Sequence, residues 1–152
     1  MPSRKLIDRF LEQKHIAVVG VSRNSKKFPN AVYRQLDARE RVVYPVNADA
    51  DTVEGVRAYR HLADVPDPLD GVMIVLGAEA AKQVVGEAVA RGVPRIWLHR
   101  GVGPSTVSPE AVAMCRDNNI EVIDGACPFM FDEPVRSVHR LHRVLTRNRP
   151  DA

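Results

Sequence analysis

Short apolar runs and amphipathic segments alternate along almost the whole chain. A continuous run of β-branched and other apolar residues is typical of a strand buried in a parallel sheet. Apolar residues that recur every three or four positions are typical of a helix with one buried face. By the first pattern the sequence predicts buried strands at HIAVVG (15–20), RVVYPVN (41–47), GVMIVL (71–76), RIWLH (95–99) and IEVID (120–124).

The segments between these strands carry helix signals. Ser3 is a suitable N-cap for a first short helix. Pro29 suits the first turn of a second helix, because its fixed φ angle is already helical. Gly92 is a suitable end for the third helix, and Ser108 is a suitable N-cap for the fourth.

Alternating strands and helices predict an α/β fold. The connections are long enough for right-handed crossovers, so the most economical architecture is a doubly wound, mostly parallel sheet with helices on both faces and the first strand near the centre. EGVRAY (54–59) predicts one further short strand. No linker or repeat interrupts the pattern, and residues 1–152 are expected to form a single domain that ends in a basic helix at about 133–147.

The composition argues against several classes of protein. No apolar run approaches the roughly 18 residues that a membrane helix needs, and the N-terminal segment lacks the apolar core of a secretion signal. Cys115 and Cys127 do not have metal-site spacing, so we expect free thiols, a cytoplasmic protein and no metal site. A net charge of +3 with 5% aromatic residues does not favour a nucleic-acid partner.

The loop after the first strand has the features of an anion-binding loop. The strand ends at Gly20, which lets the backbone turn and approach a ligand closely. The helix that begins near Pro29 would point its unpaired N–H groups and its positive dipole end towards this loop. Ser22 can donate a hydrogen bond to a phosphate, while Lys26 and Lys27 supply positive charge.

The end of the second strand narrows the choice of anion. Classical NAD sites place an acidic residue there to bind the ribose hydroxyls. This chain has Asn47, which avoids the repulsion of up to ~4 kcal/mol that a carboxylate ~4 Å from a phosphate would cause at an effective dielectric of ~20. Coenzyme A, with its 3′-phosphate, and NADP, with its 2′-phosphate, both suit such a site. Asp49 and Asp51 would oppose the phosphate if they pointed inward.

Several segments taken together have a familiar order and spacing. They are VVGVSRNSKKFPNAVYRQL (18–36), VVYPVNADADTVEGVRAY (42–59), LADVPDPLDGVMIVL (62–76), VPRIWLHRG (93–101) and CPFMF (127–131) followed by HRLHR (139–143). Together they resemble the stand-alone CoA-binding proteins, which are similar to the N-terminal CoA-binding domain of the succinyl-CoA synthetase α subunit. The resemblance implies a Rossmann-like three-layer sandwich that holds coenzyme A or an acyl-CoA through its 3′-phospho-ADP part.

The same resemblance implies a set of ligand-binding residues at the strand ends and in the first loop. They are Gly20, Val21 and Ser22 at the phosphates, Lys26 and Lys27 as cationic contacts, Val46 and Asn47 beside the adenosine, and Val75 and Leu76 in the wall of the cleft.

Ligase activity does not follow from the resemblance. The succinyl-CoA synthetase α subunit carries a phosphorylated histidine in a second domain, for which we expect no room in 152 residues. We therefore expect a binding protein without catalytic residues. An NADP-dependent oxidoreductase and a non-enzymatic interaction or scaffold protein stay open as alternatives, and the fold would also suit a homo-oligomer or a protein partner.

Overall fold

The protein is built on a five-stranded sheet whose strands pair in parallel and lie in the order β2-β1-β5-β6-β7. The computed structural model describes residues 3–99 and 108–130. The strands of the sheet are β1 (His15–Val19), β2 (Val42–Val46), β5 (Gly71–Ile74), β6 (Arg95–Leu98) and β7 (Glu121–Asp124), and β3 (Thr52–Val53) with β4 (Val56–Arg57) forms a separate antiparallel hairpin.

Local sequence signals set the ends of the helices. Ser3 and Ser108 each accept a backbone N–H of the first helical turn through the side-chain oxygen. Pro29 lies in a first turn, and Gly92 ends a helix in the left-handed conformation with φ 76°. These predicted boundaries are confirmed for α1 (Arg4–Leu11), α2 (Phe28–Asp37), α3 (Ala78–Arg91) and α4 (Pro109–Asp117).

Alternate side chains of each strand enter two separate cores. On β1, Ala17 and Val19 point into a first core that α3 and α4 cover. Ile16 and Val18 point into a second core that α1 and α2 cover. Helices therefore lie on both faces of the sheet, which confirms the doubly wound three-layer sandwich.

The strand order opens a crevice beyond the carboxyl ends of β1 and β5. β1 is an interior strand between the edge strand β2 and the central strand β5, which agrees with the expected position near the centre. The chain leaves β1 for α2 on one face and leaves β5 for α3 on the other. Because the connections diverge between these neighbouring strands, a crevice opens beyond their carboxyl ends, where such folds bind ligands.

The segment predicted as one strand at 54–59 has a different structure. Glu54 adopts a positive φ of 51°, which turns the chain between β3 and β4. Tyr59 then lies beside the edge strand, where its N–H donates to the Pro45 carbonyl at 2.9 Å and its carbonyl accepts from the Asn47 N–H at 2.9 Å. The outer edge of β2 is therefore partly covered at the end that leads to the crevice.

Two predictions fall partly or wholly outside this description. The basic helix expected at about 133–147 lies outside the described residues, so both that helix and the single-domain extent of 1–152 stay predictions. Within residues 3–99 and 108–130, the helices are all too short or too polar to cross a membrane.

Candidate functional site

A cavity of about 400 Å³ opens at the carboxyl ends of β1, β2 and β5. Its walls come from these strand ends, from α3 and from the segment that leads into a single 3₁₀ turn at Leu62–Asp64. Such a position beside the switch in strand order is where doubly wound sheets bind ligands. The cavity is lined by five of the residues predicted from the sequence, namely Gly20, Ser22, Val46, Asn47 and Leu76.

Gly20 is required by the packing of the strand ends. Its φ is +111°, which side chains rarely tolerate, and a Cβ at this position would lie 2.3 Å from the Val75 carbonyl oxygen. Its N–H donates to the Val46 carbonyl at 3.0 Å. The glycine therefore brings the three strand ends together, in addition to the ligand approach that the sequence suggested.

The fully buried side chain of Asn30 holds the loop after β1. Its Oδ1 accepts from the Ser22 N–H at 2.8 Å, and its Nδ2 donates to the Ser22 carbonyl at 2.7 Å. The same Nδ2 donates to Glu54 Oε1 at 3.0 Å, and the Arg34 guanidinium donates to that carboxylate as well. Sequence reasoning missed Asn30, although a polar residue next to apolar inward-facing positions of α2 was a usable signal.

This network restricts what Ser22 can offer a ligand. The Ser22 N–H is already paired with Asn30, and its Oγ accepts from the Asn24 N–H at 3.0 Å. A hydroxyl can accept and donate at once, so the Ser22 hydroxyl proton is still available. Ser22 can therefore donate to a phosphate through its side chain but not through its N–H.

Asn47 ties together the loops that follow β1 and β2. Its Nδ2 donates to the Val21 carbonyl at 2.8 Å, and its Oδ1 accepts from the Asp49 N–H at 2.8 Å. One amide hydrogen and one oxygen lone pair are not used by these two bonds. Asn47 therefore has a structural role at the cavity rim and keeps some capacity to bind a ligand.

Two of the predicted residues direct their side chains away from the cavity. Val21 is fully buried in the second core, and Val75 packs against that same core. Leu76, the next residue, lines the cavity and packs against the first core. Val21 and Val75 can therefore contact a ligand only through their backbone atoms. Their ligand-binding role stays a prediction, limited to such backbone contacts.

Lys26 and Lys27 are exposed on the loop that leads into α2, and neither lines the cavity. Lys27 is the N-cap of α2 and makes no side-chain capping bond. Pro29 has no N–H, and the Asn30 N–H already donates to the Lys27 carbonyl at 3.1 Å, so the start of this helix offers an anion its positive dipole end but few free donors. The two lysines add positive charge beside the loop, outside the cavity.

The rim opposite this loop carries a cation that the sequence did not reveal. Arg60 lines the cavity, and its Nη1 donates to the Ala48 carbonyl at 3.2 Å. Its Nε and Nη2 donate to Asp51 Oδ1 at 3.3 and 2.8 Å. The charge of Asp51 is therefore paired with that of Arg60, whereas Asp49 is exposed and lines the cavity rim.

The cavity wall at and around α3 combines apolar and polar groups. Val84 of α3, with Leu62 and Leu76 from outside that helix, provides apolar surface, while Gln83 and Glu87 of α3 add polar groups. Glu87 Oε1 lies 3.4 Å from Nδ1 of His61, which also lines the cavity. Apolar walls with a few polar groups are typical of small-molecule sites.

Other reactive side chains lie apart from the cavity lining. The His99 ring packs against Phe28 with centroids 4.8 Å apart, and burial lowers the pKa of His99. Both cysteines are free, and burial raises the pKa of the Cys115 thiol to about 11. A thiol that stays protonated in an apolar core has a packing role.

Known proteins are similar to this chain in sequence and in fold. The α subunit of acetate–CoA ligase (ADP-forming) II from Pyrococcus furiosus is 34% identical over 94 residues, which are 61% of this chain and 21% of that subunit. This chain thus corresponds to about a fifth of that subunit's length. The uncharacterized protein YneT from Bacillus subtilis is 28% identical over 127 residues, which are 83% of this chain and 91% of YneT.

The solved structures agree on the architecture. A hypothetical protein from Pyrococcus horikoshii OT3 superposes with a TM-score of 0.77 at 24% identity, over 86% of this chain and 89% of that one. The family model for the CoA binding domain matches residues 14–132, which include all of the sheet and the lining of the cavity. By this match, the chain belongs to the CoA binding domain family.

Proposed function

We propose that the protein binds coenzyme A or an acyl-CoA through its 3′-phospho-ADP part and does not itself catalyse a reaction. The observation that carries the proposal is the cavity at the switch in strand order of a CoA binding domain, lined by Gly20, Ser22, Val46, Asn47 and Leu76. Apolar Val46 and Leu76 provide surface for the adenine ring, while the Gly20–Ser22 loop suits the diphosphate.

Charge at the loop supports an anionic ligand. Lys26 and Lys27 are exposed beside the start of α2, and they are the proposed cationic contacts. The Ser22 hydroxyl is a further donor within the cavity. A rigid loop favours binding because less conformational entropy is lost when the ligand is held, and Asn30 supplies that rigidity.

We propose that the titratable groups lining the cavity hold the ligand and do not react with it. The titratable residues Asp49, Arg60, His61 and Glu87 lie around its rim and along α3, and Arg60 and His61 have carboxylate neighbours. The matched segment is about a fifth of the acetate–CoA ligase α subunit, and we propose that this chain shares its coenzyme binding rather than its reaction. The two free thiols suit the reducing cytoplasm, where we place the protein.

Thermal unfolding with CoA, acetyl-CoA, NADP and NAD tests the proposal. A ligand at 100 times its Kd stabilises the native state by ~2.7 kcal/mol. For a chain of this size that corresponds to a rise in Tm of roughly 5–10 °C. We expect CoA and acetyl-CoA to produce this rise, with Tm little changed by NAD.

The same measurement separates the alternatives. A larger rise with NADP than with CoA would favour an NADP-dependent oxidoreductase, for which Asn47 at the end of β2 is the supporting observation. An unchanged Tm with all four compounds would contradict nucleotide binding and would leave an interaction or scaffold protein.

A further inference from the structure

We propose that Arg60 is the residue that recognises the ribose phosphate of the bound coenzyme. This inference rests on the proposed function, and it adds a specificity-determining side chain to that site. Arg60 is bonded to Ala48, just beyond the end of β2, and lines the cavity there. In doubly wound sheets the ribose lies beside the end of the second strand, and an arginine near that point accommodates a phosphate on it.

Two carboxylates line the cavity, so an anionic ligand needs a positive group at the rim near the end of β2. Asp49 and Glu87 both line the cavity and carry carboxylates. Among the described residues that line it, Arg60 is the one lysine or arginine. A ribose phosphate near the end of β2 would be repelled by Asp49 unless a positive group lay beside it, and Arg60 lies on that rim.

The guanidinium of Arg60 has donors left for a phosphate. A guanidinium carries five N–H donors, of which two bond Asp51 and one bonds the Ala48 carbonyl. One N–H on each Nη therefore remains, and each can donate to a phosphate oxygen. Asp51 is 83% exposed, so its ion pair holds Arg60 in position but competes weakly with a doubly charged phosphate.

Lys26 and Lys27 are less suited to this task. They are exposed, lie on the loop that enters α2, and do not line the cavity. Their position beside the start of α2 suits the diphosphate, whereas the ribose phosphate belongs at the end of β2. The two anionic groups of the coenzyme would thus be bound by different cations.

The test compares the Kd values of CoA and 3′-dephospho-CoA by isothermal titration calorimetry. A charge-assisted hydrogen bond corresponds to roughly a tenfold or greater change in Kd, so we expect the wild type to prefer CoA by at least that factor. In Arg60→Met the ratio of the Kd of 3′-dephospho-CoA to the Kd of CoA should fall to about one, because the affinity for CoA decreases while the affinity for 3′-dephospho-CoA is unchanged. Arg60→Lys should restore part of this preference for CoA, since a lysine supplies the positive charge but lacks the planar guanidinium with its several N–H donors.

Matched variants separate the guanidinium from its surroundings. Asp51→Asn also breaks the ion pair but keeps Arg60, so the preference should persist. Arg57→Met removes a nearby exposed cation that packs over the Tyr59 ring, and it should leave the preference unchanged.

The outcomes distinguish this inference from the proposed function. If the wild type bound CoA and dephospho-CoA equally, coenzyme binding would stand and the role of Arg60 would be wrong. The role would also be overturned if Lys26→Ala with Lys27→Ala, rather than Arg60→Met, removed the preference. If the wild type bound neither compound, the proposed function itself would fail, and the role of Arg60 with it.

Discussion

The side-chain amide of Asn30 bonds both backbone polar groups of Ser22, with the N–H at 2.8 Å and the carbonyl at 2.7 Å. A residue inside α2 thus fixes the loop that begins the proposed phosphate site. The same amide reaches Glu54 in the turn of the β3–β4 hairpin, so three segments distant in sequence meet at one buried group. The shape of the loop is therefore set before any ligand arrives.

Replacing Asn30 by alanine should reduce both stability and coenzyme binding. The variant leaves the partly buried N–H and carbonyl of Ser22 without their partner, and an unpaired buried polar group costs about 1–3 kcal/mol. We expect the free energy of unfolding in urea to fall by at least about 2 kcal/mol, with a weaker CoA affinity because the loop is no longer held.

Asn118→Ala provides the matched control for this effect. Asn118 also donates a side-chain hydrogen bond to a backbone carbonyl, that of Met114 at 2.8 Å, but it is exposed at the end of α4. Its loss should change the free energy of unfolding much less and leave CoA affinity as in the wild type. Equal destabilisation by the two alanines would show that burial of the Asn30 network is unimportant.

Two glycine substitutions should have opposite effects on stability. Gly20→Ala places a Cβ 2.3 Å from the Val75 carbonyl and forces a side chain onto a φ of +111°, so a loss of more than about 2 kcal/mol is expected. Gly86→Ala lies within α3, where the new Cβ meets no atom within 4 Å apart from its chain neighbours and the helix's own backbone, and it should stabilise by up to about 1 kcal/mol. Urea unfolding curves of the two variants measure both values. A Gly20→Ala protein as stable as the wild type would contradict the close approach of the strand ends.

Removing Lys26 and Lys27 should weaken CoA binding in a salt-dependent manner. Each exposed charge pair contributes about 0.2–1 kcal/mol, so Lys26→Ala with Lys27→Ala should raise the Kd roughly threefold to tenfold at low ionic strength. At ~1 M salt the Debye length is about 3 Å, so most of the difference in Kd between the double variant and the wild type should disappear. Titration calorimetry at the two ionic strengths gives the comparison.

Lys5→Ala with Lys14→Ala is the control for this pair. It removes the same charge from two exposed positions that do not line the cavity: Lys5 lies in α1, and Lys14 lies just before β1, at the end of that strand away from the cavity. CoA affinity should change little. A similar loss of affinity from both double variants would mean that net charge matters and that the position of Lys26 and Lys27 does not.

Local features of the sequence predicted the fold more completely than the site. Capping by Ser3 and Ser108 depends on residues within one turn, so these helix starts were visible in the sequence. Gly20 and Asn47 followed from the general rule that strand ends of a parallel sheet meet at one edge. Leu76 and Val75 came from the family resemblance, which did not distinguish the two faces of the sheet: Leu76 lines the cavity, whereas the Val75 side chain faces the second core.

The missed residues depend on contacts between distant segments. Asn30 meets Glu54 across 24 positions of sequence, and no local pattern links them. Arg60 reaches the rim because the chain turns at Glu54 and returns along β2, whereas the apolar pattern of 54–59 predicted a single strand. A residue placed by a hairpin cannot be assigned to a site until the hairpin is known.

The two cysteines should differ sharply in reactivity. Burial raises the pKa of Cys115 to about 11, whereas Cys127 is partly exposed at the end of the sheet. At pH 8 an aromatic disulfide reagent should modify one thiol per native chain, and Cys127→Ser should abolish that reaction while Cys115→Ala leaves it intact. The raised pKa also means that the unfolded state releases the Cys115 proton first as the pH rises above about 8.5, so this thiol's contribution to stability is lost towards pH 11. The free energy of unfolding of Cys115→Ala should therefore fall less steeply between about pH 8.5 and pH 11 than that of the wild type.

The reactivity measurement also tests the packing of this thiol. Rapid modification of both thiols in the native protein would contradict the burial of Cys115 against α3.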